Sequence, residues 1–271
     1  MSEAGSCALR TECDNTETCT AWGDQIAEEL AVRYGSFVEM EPVEMSEEDE
    51  ERSEEDEEII AEYETEGNDF VGSKESTDAA GHERLWNDFT WLFPLEEREM
   101  VTAFSVFSHV DTLAHVSQNE DNVQEWSLGM NIDPGIMTPE EKVATLVHEF
   151  GHLLALNSDQ VDPLEEERSC TTLFLDEGCV SKDAYILEFY ATFWPEPEYD
   201  YDEKQFVSEY AATDFVEDMA ESWMNFVLTE KPAGTTIAEK KVLFFYEYDE
   251  LVRLRADLLA RVASWMERHV A

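Results

Sequence analysis

The chain has 271 residues, enough for one or two domains. Its formal charge of -48, from 65 acidic against 17 basic residues, repels phosphate backbones and anionic lipid surfaces, and so argues against nucleic acid or a membrane surface as partner. No apolar run approaches the roughly 18 residues that a membrane span needs.

An acid excess of this size suits either a very soluble secreted protein or one adapted to high salt. Residues 1–7 have neither the basic n-region nor the apolar h-region of a signal peptide, so the chain is either cytosolic or a matured form. The cysteines favour the second case. Cys7, Cys13 and Cys19 are six residues apart, Cys170 and Cys179 bracket a short loop, and none has C-x-x-C metal spacing. Disulfides in an oxidising compartment are the expected use, with Cys170–Cys179 one candidate pair and one thiol of the five left over. The expected location is therefore secreted, periplasmic or cell-surface.

In chain order, residues 24–34 can form a short helix with Ile26, Leu30 and Tyr34 on one face. Residues 39–69 are dense in acid, and 46–52 nearly repeat as 53–58. Such a stretch buries too little apolar surface to offset its ordering entropy, which predicts a solvated linker, or else a cation- or partner-binding tail. Residues 67–81 continue the loop character. This divides the chain into an acidic, largely disordered, Cys-bearing segment over 1–80 and a globular domain over 81–271.

The globular part opens with a helix over 83–93, where Leu85, Trp86, Phe89, Leu92 and Phe93 have helical spacing before Pro94. Strands are expected over 100–110, 113–117 and 125–132, then a turn over 131–135. Thr138-Pro139-Glu140-Glu141 then signals a helix start: a capping Thr, Pro at the first helical position and Glu three residues after the cap. Val143, Leu146, Val147, Phe150, Leu153 and Leu154 follow on one face for about five turns.

That helix carries His148-Glu149-Phe150-Gly151-His152, an H-E-x-x-H motif. Residues i and i+4 share a helix face, so two imidazoles can hold one zinc ion, with Glu149 placed to act on water activated there. Gly151 costs roughly 1 kcal/mol inside a helix, which predicts close approach of another backbone. After it come a long loop over 159–182, a helix over 184–194, an acidic aromatic stretch over 199–210, a helix over 214–228 and a last helix over 237–269.

A catalytic zinc needs a third protein ligand and an open position. The metzincin histidine is absent, since Ser158 stands in its place. His82, His109, His115 and His269 have no recognised spacing from the motif. Glu217 and Glu221, i and i+4 on one helix, fit better, although a Glu in a first helical turn also serves simply to complement the helix dipole.

The motif at 148–152, followed by Tyr210-Ala-Ala-Thr213-Asp-Phe-Val-Glu217-Asp-Met-Ala220-Glu221, resembles the gluzincin metallopeptidases. It is most similar to the lethal-factor catalytic domain and to bacterial zinc-binding metallopeptidases, over roughly residues 85–230. The resemblance implies that Glu217 is the third ligand, Tyr210 the phenol stabilising the oxyanion, and Glu221 a carboxylate orienting a ligand histidine. It implies Zn²⁺ as cofactor, Glu149 as general base, and a peptide or protein substrate. It also implies that the strand over 125–132 is the sheet edge lining the cleft. The expected fold is α+β and zincin-like: a small mixed sheet of three or four strands beside the metal helix, then a mainly helical C-terminal half, working as a monomer. The rival reading is an inactive zincin-fold binding or structural protein with an acidic interaction tail.

Overall fold

Residues 58–66 read Glu-Ile-Ile-Ala-Glu-Tyr-Glu-Thr-Glu, and from Ala61 onward every second side chain is buried. Ala61, Tyr63 and Thr65 point inward while Glu62, Glu64 and Glu66 face solvent, the period-two pattern of a half-buried strand. The computed structural model describes residues 13–38, 57–73, 79–133, 135, 137–194 and 203–270. Within them the strand at 58–66 is β1 (Glu58–Glu66), and a turn with Gly67 at φ 62° returns the chain as β2 (Asp69–Ser73).

These strands correct the expectation of a solvated linker and loop, for residues 58–66 and 69–73. The acid density there belongs to one face only. The other face stacks Tyr63 on Phe70 with ring centroids 4.1 Å apart, and joins the Tyr63 hydroxyl to His82 Nδ1 at 2.6 Å. Cys7 and the acidic run over 39–56 lie outside the described residues.

The N-terminal helix is also longer than expected. It is α1 (Thr16–Tyr34), with Asn15 and Thr18 forming a reciprocal cap and a Cys13–Cys19 disulfide closing its first turn. It lies on the final helix, α7 (Asp249–His269), through Thr16–Asp249, Arg33–Glu267 and Asp24–Arg255 contacts of 2.6, 3.0 and 2.8 Å. Residues 16–34 are thus part of the folded body rather than of a detached segment.

The sheet continues with β3 (Val101–Ser108), β4 (Ala114–Asn119) and β5 (Asn122–Asn131), in the order β2-β1-β3-β5-β4. Only the β3–β5 pair is parallel. The fold is therefore α+β with a mixed sheet, of five strands rather than three or four.

One face of the sheet is covered by α2 (Ala79–Leu92) and by α3 (Pro139–Leu156), which follows β5 directly. The core between them is aromatic: Trp86, Phe89, Phe93, Phe104 and Phe150 are all at most 1 % exposed, and Phe93 stacks on Phe150 at 4.5 Å. Each such side chain contributes roughly 1.5–3 kcal/mol by burial.

The loop over 159–182 contains a second, small sheet of β6 (Val161–Asp162), β7 (Phe174–Leu175) and β8 (Gly178–Val180), in the order β6-β8-β7. A Cys170–Cys179 disulfide closes it, as expected. Gly178, at φ 133°, is required there, because a Cβ would fall 2.4 Å from the Asp162 carbonyl oxygen.

Beyond it lie α4 (Tyr185–Phe193), α5 (Phe215–Leu228) and α6 (Ile237–Phe244). The single helix expected over 237–269 is broken by a 3-10 turn at Phe245–Glu247. The break lets adjacent aromatics pack in different directions, Phe244 against Phe189 and Phe245 against Trp223 and Phe226. Asp249 and Glu250 then start α7 with charge of the favourable sign. Among the described residues no helix is long and apolar enough to cross a membrane.

Candidate metal centre

The start of α3 is fixed by sequence alone. Thr138 Oγ1 accepts from the Glu141 N–H at 3.2 Å, and a Glu141 carboxylate oxygen accepts from the Thr138 N–H at 2.6 Å. Val143, Leu146, Val147, Phe150 and Leu153 are buried beneath the helix. His148, Glu149 and His152 lie beside this stripe and open onto a cleft of about 480 Å³.

The third contribution comes from α5. Asp214 caps it, accepting from the Val216 and Glu217 N–H groups at 2.7 and 3.0 Å, so Glu217 falls in the first turn. The two helices can approach because Gly151 has no side chain. A Cβ there would lie 3.1 Å from the Ala220 Cα and 3.0 Å from Trp223 Cδ1. The close approach expected from a glycine inside α3 is the α3–α5 crossing.

His148, His152 and Glu217 are brought together. His148 Nε2 is 3.1 Å from His152 Nε2 and 3.2 Å from Glu217 Oε2, and His152 Nε2 is 3.4 Å from the same oxygen. Three ligands of a tetrahedral ion, each at roughly 2.0–2.1 Å, are spaced about 3.3 Å from one another, so this triangle fits one face of such a site. Glu217 Oε2 is buried and receives no hydrogen bond of acceptable geometry. The group can hold a metal ion.

The charges agree with that use. Burial would lower the pKa of the His148 imidazole, but the Glu217 and Glu221 carboxylates outweigh it and push it up to about 10. Burial likewise opposes ionisation of Glu217, yet the two histidines hold its carboxyl well below the usual range. The carboxylates thus favour positive charge at the imidazole, supplied by a proton or, in the proton's place, by a bound cation.

Glu221 reaches the site from one turn further along α5. It is 4 % exposed, and its Oε1 lies 2.8 Å from His148 Nδ1, which leaves His148 Nε2 facing the centre. Its Oε2 accepts from Ser208 Oγ at 2.6 Å. Sequence reasoning missed Ser208, which has no periodic or motif signal beyond standing two residues before Tyr210.

Tyr210 lies in a 3-10 turn, Tyr210–Ala212, half exposed at the mouth of the cleft, with its ring 5.7 Å from that of His148. Burial and then the nearby Glu217 carboxylate raise its phenol pKa, so the hydroxyl keeps its proton. Glu149, 6 % exposed, lines the same cleft.

The cleft wall requires a correction. β5, expected to be the exposed edge, is paired on both sides by β3 and β4. The edge is β4, whose residues Ala114 to Gln118 line the cleft. The β4–β5 hairpin folds back outward, so β5 becomes internal. Asp176 and Glu177, at the tip of the β7–β8 hairpin, line the cleft from the other side, and Gln118 Nε2 donates to the Glu177 carbonyl at 3.2 Å.

The remaining histidines have other partners. His82 meets Tyr63, His109 lies 2.6 Å from Asp111, His115 lies 3.2 Å from Glu57, and His269 Nδ1 lies 2.8 Å from the Trp265 carbonyl. Comparison of the chain with known protein families, with curated proteins and with solved structures finds no match.

Proposed function

We propose that this protein is a zinc-dependent endopeptidase of gluzincin type with a zincin-like fold. The observation that carries the reading is the triangle of His148 Nε2, His152 Nε2 and Glu217 Oε2, spaced for one tetrahedral ion at the floor of a cleft that Glu149 also lines. When bound, zinc supplies Lewis acidity, polarising a carbonyl and making water acidic near neutral pH.

The chain's own residues do the rest. Glu149 takes the proton of the attacking water on its carboxylate and returns it to the leaving amine. Tyr210, with its proton retained, donates to the oxygen that becomes negative. Glu221 holds the His148 tautomer in place. The β4 edge gives an extended peptide a backbone to pair with. Among the described residues no lysine or arginine lines the cleft, whereas Asp176 and Glu177 do, so acidic segments are disfavoured as substrates. The two disulfides fit work in an oxidising compartment.

The test is Glu149→Gln. The variant keeps stoichiometric zinc and loses at least about 100-fold in cleavage of an unfolded protein such as casein. Parent-like cleavage by that variant, or a zinc-loaded parent that cleaves no peptide library, overturns the assignment.

A further inference from the structure

A single hydroxyl joins the two halves of this site. Ser208 Oγ donates to Glu221 Oε2 at 2.6 Å, a length typical of a hydroxyl bonded to a carboxylate. Ser208 Oγ in turn accepts the Ala211 N–H at 3.0 Å. Ala211 is the central residue of the turn that begins at Tyr210. The turn is otherwise closed on itself, by Thr213 Oγ1 and Thr213 N–H donating to the Tyr210 carbonyl at 2.8 and 3.1 Å. The Ser208 hydroxyl therefore bridges the Tyr210 turn to the carboxylate behind His148.

The geometry points to Ser208 as a positioning residue that couples the placement of Tyr210 to the grip of His148 on the metal. This rests on the zinc-peptidase reading above.

Glu221 carries the coupling. Its carboxylate is buried, with Oε1 at His148 Nδ1 and Oε2 at Ser208 Oγ. A buried carboxylate oxygen left without its donor costs free energy, and the group then rotates to find another partner. Rotation about the last side-chain bond moves Oε1 as well, because both oxygens share one plane. His148 then loses the bond that fixes its ring, and Nε2 is no longer held toward His152 and Glu217. At the same time the Ala211 N–H loses its acceptor and the Tyr210 turn loosens. Such partners of metal ligands typically contribute 10–100-fold to metal affinity.

The experiment measures zinc affinity by chelator competition, amide exchange at Ala211, and kcat and KM at saturating zinc, for the parent, Ser208→Ala and Ser208→Thr. Ser208→Ala should bind zinc about 10-fold more weakly, exchange the Ala211 amide faster, and lose kcat at saturating zinc with KM unchanged. Ser208→Thr, which keeps the hydroxyl, should restore all three. Zinc affinity of Ser208→Ala within about twofold of the parent overturns the coupling, as does a Ser208→Thr variant as weak as Ser208→Ala. If Ser208→Ala fails to fold by circular dichroism, Ser208→Cys, similar in size but a weak donor, takes its place, with the same expected and overturning results. A parent that binds no zinc overturns the metal reading and this inference with it; a parent that binds zinc with an unaffected Ser208→Ala overturns only the inference.

Discussion

Asp218 stands next to Glu217 on α5 but faces the other way. It is fully buried, with Lys241 Nζ at 2.7 Å and Trp194 Nε1 donating at 2.8 Å. Burial raises its pKa from 3.8 to about 6 despite that pairing, and burial lowers that of Lys241. An ion pair this deep is retained at a desolvation cost, and it ties α5 to Lys241 of α6. Because the folded value lies above the unfolded one, the protonated form favours the fold. That contribution is full below about 4 and is lost as the pH rises through about 6. Asp218→Asn removes this dependence. Urea melts of parent and variant should show the parent's relative stability higher at about pH 5 than at about pH 7. A constant difference across that window would show that Asp218 is ionised as readily in the fold as in the unfolded chain.

At the level of elements, the site is made by the crossing of α3 and α5 against the β4 edge. The contact at Gly151 is tight enough to set the distance between the helices that carry His148 and Glu217. Gly151→Ala gains up to about 1 kcal/mol of helix propensity but places a methyl 3.0–3.1 Å from Trp223 and Ala220. Overpacking of that kind costs about 1–3 kcal/mol, so the net change expected is a loss of about 1 kcal/mol. Any affinity of the site for a metal ion should fall with it, because the helices that carry His148 and Glu217 are pushed apart. Thermal melts and chelator competition on one sample check both. A variant more stable than the parent with unchanged zinc affinity would mean the crossing relaxes without moving the ligands. The α3 helix was legible in the sequence because its cap, apolar stripe and histidine spacing are all local. The identity of the edge strand was not, since β4 and β5 have similar local patterns and only the sheet order separates an internal strand from an edge.

The whole molecule carries a charge of -48 in 271 residues, and its folded form concentrates that charge. Self-repulsion destabilises a compact state, and salt screens it with a Debye length that falls from about 10 Å at 0.1 M to about 3 Å at 1 M. Tm is therefore expected to rise by several degrees when sodium chloride is raised from about 0.1 to about 1 M. A flat or falling Tm would show that the acidic groups are already neutralised by their local partners. Several are tied in that way: Asp24 to Arg255, Asp88 to Lys142, and Asp218 to Lys241. Long-range contacts also explain why the N-terminal strands are not legible in the sequence. The strand at 58–66 takes its stability from pairing with β3, some forty residues later, and its alternation of glutamates with Ala61, Tyr63 and Thr65 was masked by the surrounding acid.

The sequence by itself determined what is set by neighbours within a few residues. That covers the capped α3 helix with its two histidines one turn apart, the strands β3, β4 and β5, the place of Glu217 in a first helical turn, and the short disulfide-closed loop. Only the tertiary structure decided that Glu217 Oε2 and the two Nε2 atoms converge, that β4 is the open edge, that α1, β1 and β2 join the body, and that Ser208 joins the Tyr210 turn to Glu221. The division has a physical cause. Caps, helical spacing and short loops are fixed by backbone geometry over a few residues, whereas convergence of groups more than sixty residues apart depends on how buried faces pack, which no local pattern records.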